Sequence, residues 1–223
     1  MLRLIDISHE YDQGDSKISV LSNLQLDISN CNNLGIIGPS GSGKTTLLNI
    51  IGLVESPKNG KILINDFDCN SMKPEEKTIF RKDNIGFIFQ NNQLLEDFNV
   101  LENIALPLIL NGVSLKKSIK EAENFLKLLN LENRKNFKPG LLSGGEQQRI
   151  AVARALIKKP FILLADEPTG SLDAKTSEDV FNFMIKMAKK NNTICIIATH
   201  NMNLINRLDS CYKIEEGKLI ELK

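Results

Sequence analysis

The run GPSGSGKTT, Gly38 to Thr46, constrains this chain more than any other stretch. Gly38, Pro39, Ser40, Gly41, Ser42, Gly43, Lys44 and Thr45 fill the pattern G-x-x-x-x-G-K-[ST]. An apolar run, NNLGII, precedes it and a helical pattern, TTLLNII, follows. Small residues in such a loop let successive amides converge on phosphate oxygens. Lys44 supplies charge for the β and γ phosphates of a nucleoside triphosphate, and Thr45 a hydroxyl for Mg²⁺. Thr46 stands next to them in the first turn of the helix. A strand, a glycine-rich loop and a helix in that order confine the chain to an α/β fold of the phosphate-loop NTPase kind.

The remaining patterns place other elements around that loop. LRLIDI, ISVL and LQLDI alternate apolar and polar residues, which predicts strands separated by a turn-rich break at YDQGDSK. GKILIND and IGFIFQ read as further strands, and the helix after the loop is expected to cover TTLLNIIGLV. From Asn91 the texture changes. VLENIALPLILNG puts Val100, Leu101, Ile104, Ala105 and Leu108 on one helical face, with Pro107 expected to kink or limit the helix and Asn111-Gly112 to end it. SLKKSIKEAENFLKLLN is amphipathic through Ile119, Ala122, Leu126 and Leu129, its basic start forming a solvated face. FILLAD, AKTSEDVFNFMIKMAKK and TICIIATH then return to strand, helix and strand. One domain over 1–223 is expected, with a core from 1–90 and 160–223 and a helical insert over about 91–159.

Two strand ends carry further chemistry. Asp166 and Glu167 follow the buried strand FILLA, at the carboxyl end where α/β sheets place their sites. Asp166 is suited to hold Mg²⁺ through water, and Glu167 to polarise an attacking water as general base. His200 ends TICIIATH, where a γ-phosphate contact is expected. Gln90 ends IGFIFQ, where an amide can touch Mg²⁺ or water and report nucleotide state to the insert.

The totals exclude several alternatives. A formal net charge of +1 gives no reason to expect nucleic acid as a partner. Cys31, Cys69, Cys195 and Cys211 form no C-x-x-C pair, so buried reduced thiols are expected rather than zinc or disulfides. The charged start MLRLIDISHEY is unlike a secretory signal, and no apolar run reaches the roughly 20 residues that span a bilayer.

One stretch remains, LLSGGEQQRIAVARAL, which sets Ser143, Gly144 and Gly145 before a basic, alanine-rich helix. Together with the phosphate loop, Gln90, LLADEPTGSLD and His200, its LSGGEQQR resembles the ATP-binding cassette proteins over essentially the whole chain. The resemblance implies an N-terminal antiparallel β subdomain and a helical insert ending in the signature helix. It also implies a head-to-tail dimer, in which Ser143, Gly144 and Gly145 contact the ATP on the partner's phosphate loop. Tyr11 aligns with the aromatic residue that stacks on adenine, and Asp173 with the loop crossing the dimer interface, where it can also cap the next helix. GFIFQNNQLLEDFNVLENIALPLIL is similar to a subgroup whose ATPases serve lipoprotein release, macrolide or peptide export, and cell division, with the lipoprotein-releasing branch matching best. The implied role is ATP hydrolysis at the cytoplasmic face of an inner membrane. There, integral membrane subunits would release lipid-anchored lipoproteins to a periplasmic carrier.

Overall fold

In a computed structural model, residues 1–14, 16–29 and 32–222 are described. They form two compact units, Met1–Arg81 with Ile194–Lys223, and Lys82–Thr193.

The first unit starts with a long antiparallel hairpin, β1 (Leu2–Gln13) and β2 (Ser16–Ile28), extended by β4 (Asn59–Ile64) and β5 (Phe67–Asp68) in the order β2-β1-β4-β5. The expected break at YDQGDSK is narrower than its composition suggests. Tyr11 pairs with Ile18 and Gln13 with Ser16, while Asp15 lies outside the described residues. In β1, Leu2 and Leu4 are buried, then Ile7 and His9. The inward phase changes because Asp6 is left-handed (φ 52°) and the register with β2 shifts between Leu4 and Ile7.

A second set of strands in this unit holds the phosphate loop. β3 (Asn33–Ile37) pairs in parallel with β8 (Ile194–Ala198) and with β9 (Ser210–Glu215). β10 (Lys218–Glu221) pairs antiparallel with β9. β3 and β8 are almost wholly buried, which is why both read as continuous apolar runs. After the loop, α1 (Lys44–Ile51) stops short of the expected Val54, because Leu53 turns left-handed (φ 56°). The short α7 covers Met202–Ile205. Cys69, Cys195 and Cys211 are buried thiols, as expected, and burial pushes Cys69 up to about 11 and Cys195 to about 12. Cys31 lies outside the described residues.

One helix escaped the apolar pattern. α2 (Pro74–Asn84) crosses from one unit's sequence to the other's and buries none of its residues, so it has no hydrophobic stripe to find. Its legible signals are Pro74 at the start and Glu75 and Glu76 in the first turn.

The second unit pairs β6 (Ile85–Ile88) in parallel with β7 (Ile162–Asp166) and adds four helices, α3 (Val100–Leu110), α4 (Leu115–Leu129), α5 (Gly144–Leu156) and α6 (Ala174–Lys190). α3 begins with a capping box between Asn99 and Glu102, and it runs through Pro107 to Leu110. On α4 the buried face is Ser118, Ala122, Phe125, Leu126 and Leu129, with Ile119 at its half-buried edge. No helix among the described residues is long and apolar enough to cross a membrane.

Asn103 on α3 is fully buried and ties down the segment before the helix. Its Oδ1 accepts from Leu95 N at 2.9 Å, and its Nδ2 donates to Leu95 O and Phe98 O at 3.0 and 3.1 Å. Asn103→Leu keeps the branched shape but leaves Leu95 N and Phe98 O without these partners, at about 1–3 kcal/mol per buried group, while Leu95 O keeps its bond from Phe98 N at 3.1 Å. In urea unfolding the midpoint should fall with an unchanged slope; an unchanged midpoint contradicts this account.

Candidate functional site

The residues singled out in sequence divide between the two units. Tyr11, the phosphate loop and His200 belong to the first, and Gln90, Ser143–Gly145, Asp166, Glu167 and Asp173 to the second.

In the first unit the chain leaves β3 at Ile37 and enters α1 at Lys44. Gly43 is the residue before the helix, left-handed at φ 99°, and no side chain caps the first amides. Those amides are donors without an intrahelical partner. A Cβ at Gly43 would stand 2.7 Å from Val20 Cγ1 on β2, so both backbone angle and space demand glycine. Lys44 Nζ donates to Gly38 O at 2.8 Å and Pro39 O at 3.0 Å, which folds the lysine over the loop. Among the described residues Ser42 Oγ is buried without a hydrogen-bond partner. Uncapped amides, an unused hydroxyl and an ammonium make a donor set that fits a polyphosphate.

Strand register explains how His200 comes to this loop. Ile36 of β3 pairs with Ala198 of β8, and Gly38 and His200 each follow two residues later. His200 is solvent-exposed. Tyr11 reaches the loop from β1, its hydroxyl 3.1 Å from Thr46 Oγ1.

The second unit repeats the register logic. Ile88 of β6 pairs with Ala165 of β7, so Gln90 and Glu167 each lie two residues beyond a paired position, with Asp166 the last residue of β7. Glu167 is left-handed at φ 46°, a conformation that costs a non-glycine residue about 1–2 kcal/mol. A turn from Glu167 O to Gly170 N follows, at 3.1 Å. A Cβ at Gly170 would meet Gln90 Nε2 at 3.4 Å and Glu167 Cβ at 3.5 Å. The acid and the amide are thus brought to one turn.

Ser143 caps α5, its Oγ accepting from Glu146 N at 3.3 Å while Glu146 Oε2 accepts from Ser143 N at 2.9 Å. Used as an acceptor, the hydroxyl keeps its own hydrogen to donate. Arg134 Nε donates to the other carboxylate oxygen, Glu146 Oε1, at 3.0 Å, and its guanidinium lies 5.0 Å above the Phe137 ring. Burial raises the Glu146 carboxyl's pKa, but hydrogen bonds from Ser143 and Arg134 outweigh it and leave the group below the usual range. The cap therefore contributes in full above the ordinary carboxylate range and is lost as pH falls below that range, through the lowered value of the folded state.

The two signature glycines differ. Gly144 is exposed, whereas Gly145 is buried, and a Cβ there would lie 2.3 Å from Thr176 Cγ2 on α6. Behind them, α5 grips the segment on both sides of Gln90. Gln148 Nε2 donates to Phe89 O at 3.2 Å, and Asn92 Nδ2 donates to Gln147 Oε1 at 2.8 Å. Arg154 donates to Asn92 O and Gln93 O at 2.9 and 2.8 Å. Asp173 caps α6 by accepting from Thr176 N at 3.1 Å, and hydrogen bonds from the Thr176 side chain and then its backbone hold the carboxyl below the usual range.

Sequence reasoning missed Glu146, Arg134 and Arg154. The Ser143–Glu146 spacing was a legible capping signal. Arg134 and Arg154 carried none, because their partners are loop carbonyls or a carboxylate with no fixed spacing.

The family described as ABC transporter matches residues 21–170. The lipoprotein-releasing system ATP-binding protein LolD of Rickettsia bellii is 45% identical over 221 residues, covering 98% of this chain and 97% of the relative. The LolD of Nitrobacter winogradskyi is 42% identical over 219 residues, covering 98% and 94%. Among solved structures, the dimeric ATP-binding cassette MJ0796 bound to ADP and Pi superimposes with a TM-score of 0.92. It is 37% identical and covers all of this chain and 98% of that one. The expected α/β cassette fold is borne out by that similarity.

Gly145→Ala should overlap Thr176, lowering the melting temperature and ATP turnover together. Gly145→Ala with Thr176→Ser removes the obstructing methyl and should recover most of both losses, because the two sites share one contact. Additive losses in the double variant would falsify the packing account.

Proposed function

The chain belongs to the ABC transporter family, and from that membership we propose that it is the ATPase subunit of a lipoprotein-releasing transporter. The supporting observation is identity of 42–45% along nearly the full length of proteins named for that system. The proposed assembly is a head-to-tail dimer of this chain on integral membrane subunits, at the cytoplasmic face of the inner membrane. Residues of the helical insert, about 91–159, present the signature to the partner copy.

In this reading the phosphate loop, Gly38 to Thr46, holds the phosphates of ATP through its amides, Ser42 and Lys44, and Tyr11 stacks on the base. Ser143 and Gly144 of the second copy close over the γ-phosphate, the hydroxyl of Ser143 donating while its oxygen stays bound to the helix cap. Gly145 supports them from behind, and Asp173 lines the interface. Thr45, Gln90 and Asp166 are the residues to hold Mg²⁺, which when bound neutralises charge on the phosphates. Glu167 takes a proton from the attacking water, and His200 contacts the γ-phosphate. The left-handed backbone at Glu167 fits that role, because strain of this kind persists where a side chain must be held in one direction.

Cargo sets a limit on the motor. At roughly 0.8 kcal/mol per CH₂, exposing several acyl chains to water costs tens of kcal/mol. The membrane subunits must therefore shelter the chains while this subunit closes and reopens.

Glu167→Gln should keep ATP affinity, lose about 10²- to 10⁴-fold in turnover, and accumulate as an ATP-locked dimer. Lys44→Ala should lose affinity for ATP instead. Pull-down of tagged Glu167→Gln with ATP in detergent tests the transport role. Two membrane subunits with bound lipoproteins support it; a single membrane partner with a large periplasmic region, or a division protein, overturns it.

A further inference from the structure

We propose that His9 and Glu55 are positioning residues for recognition of the adenine base, acting together through Tyr11. The proposal rests on the reading of Tyr11 as the residue that stacks on the base. Neither residue belongs to a nucleotide motif, and 46 positions separate them in sequence.

The β1 irregularity at Asp6 turns His9 inward, where it is 5% exposed, and Tyr11 follows two residues later. The two rings meet edge to face, centroids 4.8 Å apart at 76°. Glu55, beyond the end of α1, joins them. Its Oε1 accepts from His9 Nε2 at 3.0 Å, and its Oε2 accepts from the Tyr11 hydroxyl at 2.9 Å. Because the carboxylate can only accept, the single Tyr11 hydrogen goes to Glu55. The hydroxyl of Thr46, 3.1 Å away, is then the donor to the Tyr11 oxygen. Proton directions are thus fixed from Thr46 to Tyr11 to Glu55.

This arrangement gives the ring one orientation relative to the phosphate loop. Its hydroxyl is held at the first turn of α1 and at Glu55, and its edge is held by His9. Tyr11 is nevertheless 40% exposed, which leaves aromatic surface for a base. An unbraced tyrosine would lose rotamer freedom on every binding event, and bracing removes that loss beforehand. Histidine is otherwise a poor choice here, because its Nδ1 is buried with no partner among the described residues. An apolar side chain would fill the same space without that cost. What histidine adds is the Nε2–H bond to Glu55.

The test compares binding of MgATP and magnesium tripolyphosphate, which lacks the base, by titration calorimetry. The full-length chain is used as wild type, His9→Phe, Glu55→Ala and Tyr11→Ala. His9→Phe retains a ring edge against Tyr11 and loses the Nε2–H donor together with the unpartnered Nδ1, and Glu55→Ala is a second variant at a less buried position. Each should weaken MgATP about 2- to 10-fold and leave tripolyphosphate unchanged, with the loss falling on KM rather than kcat. Tyr11→Ala should show the same selectivity and a larger effect. Selective loss in Tyr11→Ala alone overturns the bracing role and leaves the stacking reading standing. No selectivity in Tyr11→Ala overturns both. Equal weakening of the two ligands in His9→Phe and Glu55→Ala overturns the proposal by showing damage to the phosphate loop itself.

Discussion

The phosphate loop depends on one crowded contact, the approach of Gly43 to Val20. The backbone must be left-handed there so that α1 starts with its amides uncapped, and β2 must come close enough to hold that turn in place. A Cβ is excluded on both counts. The contact makes the antiparallel sheet a support for the loop as well as a carrier of Tyr11.

Two carboxylates solve similar problems in the two units. Glu55 divides its oxygens between His9 and Tyr11, and Glu146 divides its oxygens between Arg134 and the Ser143 amide. In each case a residue given a role from sequence is fixed by a carboxylate that was given none. A carboxylate suits this work because its two oxygens can accept from two directions at once. Arg154 does the complementary work with a cation, donating to two carbonyls after Gln90. The segment that carries Gln90 is thereby joined to the helix that carries Ser143, inside one chain. If Gln90 serves the chain's own nucleotide and Ser143 the partner's, that junction links the two halves of the assembly.

Much of the fold was legible because burial left a periodic trace. β3, β7 and β8 read as apolar runs, and α6 matched its pattern from Ala174 to Lys190. Where burial is absent the trace disappears: α2 buries nothing and left only its start signals. The stripe on α4 was found nearly in phase, but Phe125 and Ser118 belong to it more fully than Ile119. Pro107, expected to kink or limit α3, does not end it, since a single missing amide is a local loss that packing can override; the helix stops at Leu110 with Asn111 as its C-cap, as Asn111-Gly112 predicted.

Sequence by itself determined the chemistry. The spacing of glycines, lysine and hydroxyls in residues 38–46, the acids after FILLA and the Ser-Gly-Gly before a helix each need only local geometry to be recognised. Tertiary structure decided which residues hold that chemistry in place. Parallel register set Gly38 and His200 at equal steps beyond β3 and β8, and Gln90 and Glu167 at equal steps beyond β6 and β7. It gave Gly145 a packing role against Thr176 and brought Glu55 between His9 and Tyr11. Such contacts join positions tens of residues apart. Their distances follow from how whole strands and helices pack, and no local pattern in the chain encodes them.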